Sequence, residues 1–300
     1  MAQKPEFIKS QGPEVERELQ KLTSEEAFRT NKEKYAQELT DQRAYEEAIE
    51  VYSELSQQYP EESKYHYQRG KLLLETGKAQ EASDAFDAYT KTPDKRERIE
   101  RLKDVARKAE ERSVRSIAMR ANTALLDELP DTPSRERALI YSKLANLNMQ
   151  IDDVDGARKY ATLYLDELKA IEGGKIKADV YHSVFTQALQ HGHGELGVEI
   201  LEQALVEAEP NIRVMEQLAN EYARQARKGD TERVLKTYVE RSGNTRKSLE
   251  QAARWSSRRR NWDLAQFFYE KITERDDAIA EDWYELARIY ASQARLDELR

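Results

Sequence analysis

Length, composition and charge exclude several classes of protein. The chain has 300 residues, of which 35% are charged and 39% are hydrophobic, and its 11 glycines and 7 prolines are few enough to favour helix throughout. The net charge of −8 argues against nucleic-acid binding by bulk charge, and the absence of cysteine excludes disulfides, thiol catalysis and cysteine–zinc sites.

Hydrophobic patterning bears on the compartment. No apolar run approaches the roughly 20 residues that a membrane-spanning helix needs, so membrane insertion is not expected. Residues 1–10 lack the apolar core of a secretory signal. We therefore expect a cytoplasmic chain, or a periplasmic one if a signal was removed from a longer parent.

The N-terminal segment predicts two helix starts. Residues 1–23 are polar, and Pro13 is expected to open a short helix within them. Thr23 followed by Glu26 forms a capping box, which predicts that the next helix begins at residue 24. That helix is the first element of a repeat array over residues 24–300.

The array is recognised by an internal period. A small residue, an aromatic residue four places later and a proline stop recur as Ala48, Tyr52 and Pro60, then as Ala82, Phe86 and Pro93. The marker continues at positions 48, 82, 118, 157, 197, 234 and 265, with spacings of 34, 36, 39, 40, 37 and 31. In the sixth repeat the turn is placed at Gly229 and the marker at Val234. We predict about seven helix pairs and an incomplete eighth, because one pair cannot bury its apolar face alone.

This pattern resembles the tetratricopeptide repeat family, whose pattern is W-x2-L-G-x2-Y, then A-x3-F, then P. The first part matches Trp283, Leu286, Ala287 and Tyr290, with alanine in place of glycine; the second matches Ala82, Phe86 and Pro93. Repeats three to six match less well. The resemblance implies an all-α, right-handed α-solenoid whose first helices line a concave groove.

The last repeat predicts self-association. Arg300 is expected to fall early in the second helix of repeat eight, as in a fragment of a longer protein. Trp283, Leu286 and Tyr290 are spaced by three and four, so they should share one partly exposed helix face. A second copy of the chain could cover that face.

Catalytic and metal-binding patterns are weak. His191 and His193 with Glu195, and His182 one helix earlier, could hold a metal, but glycines on either side of His193 favour a solvated turn. No set of nucleophile, base and orienting residue can be assembled. We predict that the chain is not an enzyme and uses neither a metal nor a cofactor.

Charge is unevenly distributed. Residues 213–260 contain thirteen Lys or Arg and six Asp or Glu, a local balance of +7 in an acidic chain. Arginines crowd the end of one first helix here, beside Trp255 and Trp262, and arginine and tryptophan are typical of binding hot spots. We predict that the first helices of repeats six to eight bind the partner, through Arg227, Arg254, Arg258, Tyr284 and Arg288.

The favoured function is a non-catalytic scaffold. In the family it resembles, the concave face holds a peptide or helix, and here a protein partner with an acidic segment is expected. The family's carboxylate clamp is absent, because its positions hold Glu33, Gln37, Tyr67 and Lys71. The alternatives are a solenoid domain of a larger cell-envelope secretion or polysaccharide-export component, and an RNA-binding helical repeat protein.

Overall fold

The structure is a computed structural model that describes residues 13–297, with side chains described for residue 21 and residues 23–294. The chain divides into two compact units, Met1–Asp131 and Thr132–Arg300. Within the described range every regular element is a helix. The predicted all-α solenoid class is confirmed, and each unit is an array of paired helices.

The helices alternate between first and second members of a pair. The N-terminal unit contains α1 (Pro13–Asp41), α2 (Tyr45–Gln58), α3 (Ser63–Glu75), α4 (Ala79–Thr90), α5 (Lys95–Glu111) and α6 (Arg115–Glu128). The C-terminal unit contains α7 (Arg135–Gln150), α8 (Val154–Ile171), α9 (Ala178–Gln190), α10 (Gly194–Glu207), α11 (Ile212–Arg224), α12 (Lys228–Arg241), α13 (Arg246–Arg258), α14 (Trp262–Thr273) and α15 (Ala280–Asp297). Each odd-numbered helix from α1 to α13 packs most extensively against the even-numbered helix that follows it.

The turn inside each pair has one repeated geometry. A left-handed residue closes the first helix, with φ between 56° and 83°, at Arg43, Gly77, Ser113, Asp152, Gly192, Ala226 and Arg260. The amide of the next residue donates to the carbonyl five residues before it, over 2.8–3.0 Å in all seven turns. This closure satisfies carbonyls that the helix end would leave unpaired. Glycine occupies the left-handed position in two of the seven turns.

The same hydrogen bond corrects the register of the sixth repeat. In every pair, the residue four places after the one whose amide donates this hydrogen bond is small and buried. These residues are Ala48, Ala82, Ala118, Ala157, Gly197, Thr231 and Ala265. The spacings become 34, 36, 39, 40, 34 and 34. The predicted marker Val234 and the predicted turn at Gly229 are therefore wrong. The turn lies at Ala226, while Gly229 sits in the first turn of α12, where a side chain would meet open space.

The helix start predicted at residue 24 is also wrong. Helix α1 runs through Thr23 and Ser24 without a break, over 29 residues. Ser24 donates its hydroxyl to the carbonyl of Lys21 (2.7 Å) inside the helix and so serves no cap. With no glycine or proline after Pro13, this segment has nothing that would end a helix. The division of the chain at residue 23 remains a prediction.

Small residues allow the paired helices to approach closely. Ala82 and Phe86 are buried as predicted, at 0% and 2% exposure. The close approach to Gly70 is made by Phe86, since a Cβ at Gly70 would lie 2.6 Å from the nearest ring carbon. In the C-terminal unit one continuous hydrophobic core extends from Ala145 to Ile289.

Helix α15 differs from the predicted last repeat. Leu286 and Ile289 are buried against the core, whereas Trp283 and Tyr290 remain 56% and 46% exposed. The predicted common face of Trp283, Leu286 and Tyr290 is therefore divided, because α14 covers the side of the helix that carries Leu286. Arg300 lies outside the described residues.

The left-handed turn residues give a stability prediction. Ala226→Gly should raise the free energy of unfolding by about 1 kcal/mol, because a Cβ is unfavourable at a φ of 58°. The matched control is Ala223→Gly inside α11, which should lower it by about 1 kcal/mol. Urea unfolding followed by circular dichroism measures both. Equal losses for the two variants would contradict this description of the turn.

None of the described helices is both long and apolar enough to cross a membrane.

Candidate functional site

An open cleft of about 740 Å³ lies in the C-terminal unit between α13 and α15. These are the first helices of repeats seven and eight, and Trp262 and Tyr269 of α14 complete the lining. The cleft is therefore formed by the helices that the repeat register predicted for a binding groove.

Three of the five predicted site residues meet in this cleft. Arg254 and Arg258 line it from α13, and Arg288 lines it from α15. Tyr284 is also on α15 but is 67% exposed and lies outside the lining.

Arg227 was assigned to a first helix, and this assignment is wrong. The residue lies in the turn before α12, as its N-cap, because the pair turns at Ala226. Its guanidinium pairs with Asp230 (2.8 Å) and lies 4.4 Å from the centroid of the Tyr222 ring. Arg227 is thus separated from the other four predicted residues.

A buried ion pair crosses one end of the cleft. Arg246 at the start of α13 donates to both carboxylate oxygens of Asp282 near the start of α15, at 2.9 and 3.0 Å. The Asp282 side chain is 4% exposed and also accepts from the backbone amide of Ile279 (2.9 Å). A bidentate pair of this kind fixes both distance and orientation, so it positions α15 against α13.

Each of the other arginines of the lining is paired with an acid. Arg254 pairs with Glu250 (2.5 Å) and Arg288 with Glu285 (2.5 Å), each on its own helix. Arg258 reaches Glu216 of α11 (2.8 Å). These three arginine side chains remain 56–67% exposed.

The lining is electrically balanced. Four arginines face four acids, namely Arg246, Arg254, Arg258 and Arg288 against Glu250, Glu281, Asp282 and Glu285. The excess of +7 counted over residues 213–260 therefore does not describe the cleft, because the acids of α15 lie outside that stretch. Exposed ion pairs of this type contribute about 0–1 kcal/mol each, so an incoming carboxylate can replace the present partners.

Two hydroxyl groups in the lining have no hydrogen-bond partner among the described residues. Tyr269 is 3% exposed and its hydroxyl makes no hydrogen bond, and the buried Oγ of Ser257 makes none either. Burial raises the pKa of Tyr269, Glu285 raises it further, and Arg254 and Arg288 oppose the rise. The hydroxyl therefore lies among the charges of both helices.

The other buried tyrosines of the C-terminal unit form side-chain hydrogen bonds. Tyr181 donates to Glu207 (2.9 Å), Tyr222 to Glu202 (2.6 Å) and Tyr238 to Gln251 (2.5 Å). A tyrosine hydroxyl at a buried position normally has such a partner. Tyr269 departs from this pattern at the place where it lines the cleft.

Sequence reasoning missed Tyr269, Ser257 and the Arg246–Asp282 pair. The pair has a signal in the sequence, since its members are 36 residues apart, about one repeat. Tyr269 lies four residues after the marker at position 265, where the A-x3-F pattern predicts a core aromatic, and nothing in the sequence shows that its hydroxyl faces a cleft.

The histidines considered as metal ligands contact different groups. The Nε2 atom of His193 lies 2.8 Å from the carbonyl oxygen of Met149, and that of His182 lies 2.8 Å from the amide of Gln217. Among the described residues, no group of three potential metal ligands comes together.

The fold defines the class of protein. The chain has the architecture of a tetratricopeptide-like solenoid: its helices are paired, a buried small residue lies near the start of each second helix from α2 to α14, and the period is 34–40 residues.

Comparison with known proteins does not narrow this class further. No family model and no curated protein matches the chain. Among solved structures, the C-terminal part of a TPR repeat-containing protein from Cytophaga hutchinsonii is 15% identical and covers 84% of this chain and 98% of its own, with a TM-score of 0.34. A tetratricopeptide repeat protein from Parabacteroides merdae is 14% identical, with coverages of 87% and 98% and a TM-score of 0.35. The TPR2AB domain of yeast Sti1, in its pHSP90 complex, is 13% identical, with coverages of 88% and 98% and a TM-score of 0.36. Similarity this low says nothing about what the chain binds.

Proposed function

We propose that the chain is a non-catalytic scaffold that holds an acidic segment of a partner protein in the cleft between α13 and α15. The observation that carries the proposal is the set of three exposed arginines, Arg254, Arg258 and Arg288, that converge on one open cleft. Guanidinium groups bind carboxylates in a planar, two-point geometry.

The positions of the charges favour a short acidic segment over a long one. Glu250 and Glu285 lie within the same lining as the arginines and would repel a continuous acidic run. The balanced lining also argues against RNA, because a phosphate backbone needs a groove of net positive charge.

The experiment measures binding of a short, end-blocked fluorescent peptide with two adjacent glutamates flanked by serine and glycine. We expect the Arg254→Gln/Arg258→Gln double variant to bind about tenfold more weakly than the wild type, since two exposed charge contacts are lost. Glutamine replaces arginine because a glutamate at position 254 would also face Glu250 one turn away and weaken the helix. Raising the salt concentration should weaken wild-type binding, because exposed charges are screened over about 8 Å at physiological ionic strength.

Two controls distinguish binding in the cleft from nonspecific attraction between the peptide and positive charge elsewhere. Arg107→Gln on α5 removes an arginine that is 53% exposed and paired with Asp104, as the cleft arginines are paired, but that lies in the N-terminal unit. This variant should bind the peptide as the wild type does. A peptide with glutamine in place of both glutamates should bind weakly to every variant. Tighter binding of a short RNA than of the glutamate peptide would overturn the proposal.

We also propose that a second copy of the chain covers the outer face of α15. Four exposed alanines line this face, at Ala280, Ala287, Ala291 and Ala294. Trp283 and Tyr290 flank it on one side and Tyr284 on the other, all exposed. Three acids, Glu281, Asp282 and Glu285, lie in the first half of α15, and Arg288 lies at its centre. An antiparallel pair of such helices opposes the two helix dipoles.

A further inference from the structure

We propose that the floor of the cleft is a subsite for one side-chain carboxylate. The Tyr269 and Ser257 hydroxyls would donate hydrogen bonds to it, and Arg254 and Arg288 would flank it. This subsite rests on the proposed function, because it assigns the position of one acidic residue of the bound segment.

The first argument is the state of the two hydroxyl groups. Tyr269 is only 3% exposed and lines the cleft. Its hydroxyl makes no hydrogen bond with the described residues. The Oγ of Ser257 is buried in the same lining and is also without a partner. A buried polar group left unpaired is unfavourable, and a ligand that accepts from Ser257 Oγ removes this cost, while Tyr269 in the same lining offers a second hydroxyl donor.

The second argument is the charge around Tyr269. Arg254 and Arg288 act on the Tyr269 hydroxyl from the two helices that form the cleft walls, and Glu250 and Glu285 act on it as well. The guanidinium groups oppose the binding of a cation. A carboxylate accepts hydrogen bonds and donates none, so it matches two hydroxyl donors and two guanidinium groups. The two acids, which sit one turn nearer the helix starts, disfavour a second negative charge beside the first.

The third argument is the fixed position of the walls. The bidentate Arg246–Asp282 pair joins α13 to α15 near the starts of both helices. The spacing between Arg254 and Arg288 is therefore set before a ligand binds. A preorganised site binds more tightly than a mobile one, because less conformational entropy is lost when the ligand binds.

The test is Tyr269→Phe, which removes the hydroxyl and keeps the ring in the core. We expect this variant to bind the end-blocked glutamate peptide about tenfold more weakly, because the carboxylate loses one charge-assisted hydrogen bond. Its melting temperature should not fall, since the lost hydroxyl has no hydrogen-bond partner among the described residues. Ser257→Ala should weaken binding in the same direction.

The matched control is Tyr52→Phe. Tyr52 occupies the same position of the first repeat, four residues after the small marker Ala48, is 5% exposed, and likewise makes no side-chain hydrogen bond with the described residues. Because it lies in the N-terminal unit, its variant should bind the peptide unchanged. A glutamine peptide with a free C-terminal carboxylate serves as a second probe. Tighter binding of that probe than of the glutamate peptide would overturn the assignment to a side chain.

The outcomes distinguish the two proposals. If Arg254→Gln/Arg258→Gln loses the glutamate peptide while Tyr269→Phe and Ser257→Ala bind it as the wild type does, the subsite is overturned and the proposed function stands. If the wild type does not prefer the glutamate peptide to the end-blocked glutamine peptide, both are overturned. Loss of binding by Tyr269→Phe at an unchanged melting temperature, with Tyr52→Phe unaffected, supports both.

Discussion

Replacing Gly70 with alanine is expected to lower the free energy of unfolding by about 1–2 kcal/mol. A Cβ at this position would lie 2.6, 2.8 and 2.9 Å from three ring carbons of Phe86. Because Phe86 is 2% exposed, its ring cannot turn into solvent, so α3 or the ring must shift. The better helix propensity of alanine returns about 1 kcal/mol, which limits the net loss. Urea unfolding followed by circular dichroism measures the effect.

Two further variants isolate the steric cause. Gly229→Ala makes the same chemical change in the first turn of α12, where a Cβ meets no atom within 4 Å, and should not destabilise the protein. Phe86→Leu in the Gly70→Ala background should cost less than it does in the wild type, because the two residues are in direct contact. Additive losses, or a loss at Gly229 equal to that at Gly70, would show that the clash with Phe86 is not the cause.

The repeat architecture was predictable because burial imposes a pattern on the sequence. A helix pair must present a small residue where its members approach and a large one beyond it, as with Ala82 and Phe86. The sixth repeat was misread because Thr231 replaces alanine and Ala226, not glycine, adopts the left-handed turn conformation. Gly229 was mistaken for the turn. It lies in the first turn of a helix, where glycine is tolerated because no neighbouring atom packs against this position.

The position of the candidate site was predictable in part, and its role in binding stays a prediction. The repeat register brings Arg254, Arg258 and Arg288 to the first helices, and the structure places them in one cleft. The acids that balance these arginines are Glu250 on α13 and three residues of α15. A count of charges over residues 213–260 does not include those of α15. Whether a core tyrosine keeps its hydroxyl unpaired depends on every side chain around it. The sequence pattern that identifies Tyr269 as a packing residue contains no such information.

The face of α15 gives the last prediction, which concerns self-association. Ala280, Ala287 and Ala294 are evenly spaced, so an antiparallel pair of α15 helices centred on Ala287 would bring Ala280 of each copy opposite Ala294 of the other. Trp283 would then lie against Ala291 of the second copy, a large side chain over a small one. We expect concentration-dependent dimers in analytical ultracentrifugation. One helix pair lies at the small end of stable interfaces, so the dimer should be weak.

Residues at the centre of a two-fold interface meet their own copies, which makes Ala287 the decisive position. Ala287→Glu and Ala287→Lys should each be monomeric, because like charges would face each other across the axis. An equimolar mixture of the two should recover dimers through the opposite charges. Phe28→Ser on α1 removes another exposed aromatic residue, at 52% exposure, and should leave the dimer intact. Dimers of Ala287→Glu at wild-type concentrations, or a mixture that stays monomeric, would place any self-association on a different surface.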